Sequence, residues 1–250
     1  FKSRLLWQSV ITIATVSIFN TIVHELGHYF MALLYGAKDI ELHHNYVSYD
    51  YASVSFMQGV WIAAAGPLLS LALGIICLLI YRNLTIRNWP TLALLWLAFH
   101  ALLTFLGYIL IAPVFPYGDT GFIFHKLGFP IWLMIVLSVL AASATFIVFD
   151  KGGKLFQPYF ENASDSNQQT AAKLFMWPIF ISTVFGILIN LPVPTVLSII
   201  APATMPFAFF TFYGGFLRNK TANRVAKIDK ISWTLGVFFV VMVILFRILV

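Results

Sequence analysis

The sequence predicts an all-α polytopic membrane protein, with about seven transmembrane helices and a small β-hairpin between the first two. Composition is the first reason. Of 250 residues, 60% are hydrophobic and only 10% charged, and the mean hydropathy is +0.90, too little polar surface for a soluble domain of this size. The second is segmentation into seven apolar runs long enough to cross a bilayer: Trp7 to Leu34, Gly59 to Tyr81, Pro90 to Ala112, Pro130 to Phe149, Lys173 to Asn190, Pro194 to Phe216 and Ile231 to Val250. The third is charge placement. Basic residues cluster in the short connectors, so the net charge of +6 is a topology signal that makes the lipid bilayer, and no nucleic acid, the expected partner. With neither an internal repeat nor a long linker, one membrane domain, 1–250, is expected, with the chemistry in 5–128 and further spans in 129–250.

The first run contains TIVHELGHYF, Thr21 to Phe30. Three ionisable side chains within five positions of a membrane helix cost on the order of 2–3 kcal/mol each unless something compensates them. On a helix, i and i+4 share a face, so His24 and His28 can present two imidazoles to one Zn²⁺. Glu25, turned about 100° away, sits beside the open coordination site, where it can take a proton from water. Gly27 between them lets another segment approach closely. The chain does not begin with Met, and no small-residue cleavage site follows a short apolar region, so this run is read as a retained span.

After it, Asp39 to Gln58 alternates β-branched, aromatic and polar residues around His44-Asn45, the pattern of a hairpin at the membrane surface. Neighbouring strand residues face opposite ways, so at most one of His43 and His44 could reach a given metal. The second span opens AAAGPLLSLALG, placing Gly66, Ser70 and Gly74 on one face as a close-packing surface against the first span. Cys77, the single cysteine, is expected to pack and excludes an intrachain disulfide.

The third span carries His100. A lone buried histidine is more often hydrogen-bonded to a neighbouring helix than bound to metal. Beyond it, APVFPYGDTGFIFHK breaks the helix with prolines and glycines, backbone tolerated at membrane depth only where protein buries it or it lines a cavity. Asp119 there can be a third zinc ligand, leaving a fourth position for water. Equally, it can cap the helix that begins at Thr120. His125, a few residues on, is not expected to bind metal. The fifth and sixth spans are joined by Leu191, Pro192 and Val193 in a tight turn. The loop from Asp150 to Ala172 reads as irregular or partly amphipathic, and Arg218 to Lys230 as an anionic-lipid anchor.

Loop charge orients the chain. With the N-terminus cytoplasmic, twelve basic residues fall inside and three, Lys38, Lys126 and Arg247, outside. His24 and His28 then lie toward the extracytoplasmic side.

HELGH on a span, AAAGP opening the next and a Pro-rich GD segment after the third together resemble the site-2 protease family of intramembrane zinc metallopeptidases. The resemblance covers roughly Val23 to Lys126. It implies zinc held by His24, His28 and Asp119, Glu25 as general base, and a membrane protein as substrate. Here the third motif reads PVFPYGDTG, where the family usually has Leu-Asp-Gly preceded by an Asn and prolines. Well-known members hold zinc nearer the cytoplasmic face, opposite to the side the loop charges indicate. Two other functions remain open to the same residues. One is a transporter or channel using the HELGH cluster for metal or protons. The other is a non-catalytic scaffold of the same fold, which would have no need of Glu25.

Overall fold

Apolar side chains cover the outside of the helices as well as the inside. Helix α5 (Ile131–Gly153) turns Ile135, Val136, Val139, Leu140, Phe146 and Ile147 outward, the inversion expected when lipid is the solvent. The computed structural model describes residues 3–191, 196–218 and 225–249. The helices, in order, are α1 (Arg4–Leu34), α2 (Phe56–Asn83), α3 (Trp89–Ile111), the short α4 (Asp119–Lys126), α5, α6 (Asn167–Ala171), α7 (Trp177–Ile189), α8 (Val196–Arg218) and α9 (Trp233–Ile248). A π turn, Ala172–Met176, joins α6 to α7.

Among the described residues, five helical stretches are long and apolar enough to cross a membrane: Arg4–Leu34, Phe56–Asn83, Trp89–Ile111, Ile131–Phe156 and Asn167–Ile189. Helix α8 carries Pro202 and Pro206 inside it and α9 has 16 residues, so the described residues give five candidate spans and do not confirm the expected seven. The turn at Pro192 and Val193 lies outside the described residues, as does the part of the Arg218 to Lys230 segment from 219 to 224.

Helix α1 is the hub, packed by α2, α3, α7 and α9. It starts at Ser3, whose hydroxyl caps the Leu6 amide, and buries Gln8, Ser9, Thr12, Thr15 and Asn20 along with its apolar residues. Helix α2 starts with a capping box between Ser55 and Gln58. Its buried face runs Gly66, Ser70, Gly74, Cys77, Tyr81, a spacing of four, four, three and four that keeps one stripe inward. The small residues bring the backbones together: a Cβ on Gly27 would lie 2.8 Å from the Ala65 carbonyl oxygen, and one on Gly74 would lie 2.9 Å from that of Ala98. Cys77 is a free, buried thiol, as expected.

The expected hairpin forms. Strands β1 (Lys38–Leu42) and β2 (Val47–Asp50) pair antiparallel, with Glu41 opposite Ser48, and the His43 amide donates to Tyr46 O to close the turn. Its tip docks far away in sequence: the His44 amide donates to Leu249 O at 2.9 Å and its ring meets Phe246 edge-on.

The segment between α5 and α7, expected to be irregular or partly amphipathic, contains short regular elements. Strand β3 (Tyr159–Phe160) pairs in parallel with β4 (Ala226–Lys227), and Phe156 and Tyr159 are fully buried. Glu161 joins this loop to the start of α1, accepting from Ser3 Oγ at 2.5 Å and the Arg4 amide at 2.8 Å, while Lys173 reaches it at 3.1 Å. The Arg4 guanidinium donates to Asp229 O, and Arg218 pairs with Asp150. The start of α1 and the loops after α5 and α8 therefore share one end of the bundle, and the hairpin lies at the other.

Candidate metal centre

Three side chains from two helices meet beside the wall of one cavity. His24 and His28, one turn apart on α1, bring their Nε2 atoms to 3.2 Å. The Asp119 carboxylate on α4 lies 2.9 Å from His24 Nε2 and 3.3 Å from His28 Nε2. One ligand atom from each falls within 4.8 Å of the others, a cluster that could hold one metal ion in common. Asp119 does not cap its helix: Gly118 is the N-cap and makes no side-chain cap bond. The carboxylate is committed to the histidines.

The far side of each imidazole is fixed as well. His28 Nδ1 lies 2.7 Å from the Ile62 carbonyl and His24 Nδ1 lies 3.1 Å from Ser70 Oγ. A proton on each Nδ1 leaves the Nε2 lone pair facing the cluster, the orientation a divalent metal requires. Pro67, inside α2 between Ile62 and Ser70, has no N–H to give the Ala63 carbonyl. Gly66 leaves room for both rings, since a Cβ there would fall on His28 Nε2 and lie 2.8 Å from His24 Nε2. The donor set, its second hydrogen bonds and the space left by Gly66 all fit zinc.

Glu25 is buried and lines the same cavity, about 980 Å³, whose walls come from α1 to α5, α7, α8, α9 and the hairpin. Tyr108 on α3 stacks on His24, centroids 5.2 Å apart and planes 10° apart. At the hairpin side, burial pushes the Tyr49 phenol up to about 12, helped by neighbouring Tyr51, so it remains a protonated donor on the lining.

The family model described as Peptidase M50B-like matches residues 4–196, more than three quarters of the chain. The chain belongs to the site-2 protease family. No curated protein and no solved structure matches it.

For this site-2 protease family member, the other histidines stand apart from the cluster. His43 stacks on Tyr46 and lies 3.4 Å from Glu41. His44 is buried against Phe246, where burial lowers its pKa and nearby Arg247 and His43 lower it further, so its ring is held neutral. His125 is exposed on α4, and His100 sits deeper on α3. Sequence reasoning missed Ser70, explained there by packing alone, and Tyr108. A signal for Tyr108 existed: Asn20, His24, His28 on α1 and His100, Thr104, Tyr108 on α3 are two ladders of four-residue spacing, and the Asn20 amide donates to Thr104 Oγ1 at 2.9 Å.

Proposed function

We propose that the chain is an intramembrane zinc endopeptidase that cleaves membrane-spanning or membrane-proximal segments of other proteins. The observation that supports it is the convergence of His24 Nε2, His28 Nε2 and Asp119 Oδ2, within 4.8 Å of one another, beside Glu25 on one large cavity. His24, His28 and Asp119 are the residues that would hold zinc, and the ion would supply a lowered water pKa and a polarised scissile carbonyl. Glu25, free of the metal, takes the proton from the attacking water and returns it to the leaving amine. Ser70 and the Ile62 carbonyl, each at one Nδ1, hold the two imidazoles in register, and Tyr108 fixes the plane of His24. A substrate helix hides its carbonyls in its own hydrogen bonds, so the cleaved stretch must enter the cavity unwound.

Metal content and turnover test different parts of this reading. Purified protein should carry about one zinc per chain, since two imidazoles and a carboxylate form one site. His24→Ala should lose it, and Glu25→Gln should keep the zinc yet abolish cleavage of a membrane substrate, because an amide accepts no proton. Full zinc retention in His24→Ala, or cleavage by Glu25→Gln at a comparable rate, would overturn the assignment.

We propose also that the N-terminus is cytoplasmic and the site opens to the other side, supported by the twelve-to-three distribution of basic residues. In a Cys77→Ser background, Glu41→Cys should react with an impermeant thiol reagent on intact cells, and Ser164→Cys only after lysis. The reverse pattern inverts the orientation.

A further inference from the structure

The cluster occupies one end of the cavity. Two turns from Tyr108 along the same face of α3, His100 lines the cavity wall and is 2% exposed. Neither of its ring nitrogens has a hydrogen-bond partner among the described residues, and the Asn20 Oδ1 atom on the facing ladder is buried and unpartnered too. Buried polar groups are nearly always satisfied, and each one left unpaired costs about 1–3 kcal/mol. Four hydroxyls on the cavity lining are already committed as donors: those of Thr104, Thr145, Ser182 and Thr211 donate to the carbonyls of His100, Ala141, Val10 and Ala208. Phe209 backs the imidazole at a ring distance of 6.2 Å.

A neutral imidazole offers one donor and one acceptor, and Asn20 adds an acceptor. The two ring nitrogens point to opposite sides, so one group can meet only one of them; a primary carboxamide can give its two N–H hydrogens to that ring nitrogen and to Asn20 Oδ1 together. A carboxylate supplies no donor, an alkyl chain supplies nothing, and an ammonium brings a charge to membrane depth. The eight residues from Tyr108 to His100 span about 12 Å of helix at 1.5 Å per residue. An extended chain covers that in three or four residues at roughly 3.4 Å each.

We propose that His100 and Asn20 form a specificity subsite that reads an Asn or Gln side chain of the unwound substrate, three or four residues from the bond cleaved beside Glu25. The subsite rests on the peptidase reading for its substrate, but its test separates the two.

The probes are single-span polyleucine peptides in phosphatidylcholine vesicles, each with one Asn, placed in turn at every position around the cleaved bond. With the intact chain, kcat/KM and the cleavage position are measured; with Glu25→Gln, the dissociation constant of the same fluorescent peptides. Asn three or four residues from the bond should improve both by about tenfold over Leu, because a site built for hydrogen bonds rejects a partner that cannot make them. His100→Leu should bring the Asn-to-Leu ratio close to one, and His100→Gln, which keeps a donor and an acceptor, should restore most of it. A ratio within twofold at every position in the intact chain, or a ratio that survives His100→Leu, overturns the subsite even if the peptides are cut. Selective binding without cleavage overturns the peptidase and leaves the subsite standing. Absence of both binding and cleavage overturns both.

Discussion

One end of the bundle is filled and the other is hollow, although both are built from the same helices. At the filled end, Trp96 is fully buried in a ring of aromatic side chains: Phe156 at 5.0 Å, Phe209 at 5.5 Å, and Phe175 and Phe212 at 5.9 Å. Phe99 and Phe149 extend that packing. Two turns further along, the same α1 and α3 still touch, through Asn20 and Thr104 and through His24 and Tyr108, but they line a cavity and carry histidines, an asparagine and a threonine instead of phenylalanines. Between helices in lipid, association depends on close contact and hydrogen bonds rather than on expulsion of water. The aromatic end can supply that contact, which allows the other end to keep open space and costly polar groups. His100, which touches Phe209 on one side and lines the cavity on the other, marks the boundary.

The comparison breaks most sharply at Gly66. Gly66→Ala places a methyl group on His28 Nε2 and against His24 Nε2, so zinc content should fall from about one per chain to near zero while helix content and oligomeric behaviour are kept. Circular dichroism beside metal analysis checks this. A variant that holds full zinc would mean the imidazoles can move aside, and that the hollow end is less constrained than its hydrogen bonds imply.

The opposite test is Trp96→Ala. Removing a buried Trp costs about 3–5 kcal/mol in soluble cores; the lower end, about 3 kcal/mol, is expected here because lipid solvates separated helix faces almost as well as neighbouring helices do. Thermal unfolding in detergent should show the loss, with zinc per folded chain unchanged. Loss of zinc without loss of stability would show that the two ends are coupled, contrary to the division drawn here.

Legibility in the sequence follows the same division. His24, Glu25 and His28 were readable because a four-residue spacing fixes their common face and their cost at membrane depth demands a purpose. For Asp119, a third ligand was the expectation and geometry alone did not exclude a helix cap; the distances to both imidazoles, with Gly118 at the N-cap, separate the two. Ser70 was hidden by its own sufficiency: a small residue in a packing stripe needs no further explanation until His24 Nδ1 is found 3.1 Å away. The hairpin was readable from alternation, but its docking on Leu249 joins residues more than two hundred positions apart, and no local pattern encodes such a contact. The loop after α5 was read from its polarity as irregular or partly amphipathic; Phe156 and Tyr159, buried in it, were the signal that it packs.

The smallest effect is expected where the filled end meets water, at Glu161. Burial alone would raise its pKa, but the hydrogen bonds from Ser3 Oγ and the Arg4 amide, with Lys173 beside it, hold it below its ordinary value of 4.5. A carboxylate whose pKa is lower in the folded state stabilises that state above the unfolded pKa, and the contribution disappears as pH falls through the folded one. Glu161→Gln should therefore lower the midpoint of thermal unfolding at pH 7 by at most a few degrees, the scale of a partly solvated ion pair in a chain of this length. The gap between variant and wild type should narrow as pH falls below 4.5 and close beneath the folded pKa. Zinc content at pH 7 should not change, since Glu161 sits at the end of the bundle away from the hairpin. A gap that stays constant from pH 7 to below the folded pKa would assign Glu161 a packing role in place of an electrostatic one. A change in zinc content would show that anchoring the start of α1 also positions His24, twenty residues along the same helix, and that the filled end sets the geometry of the hollow one.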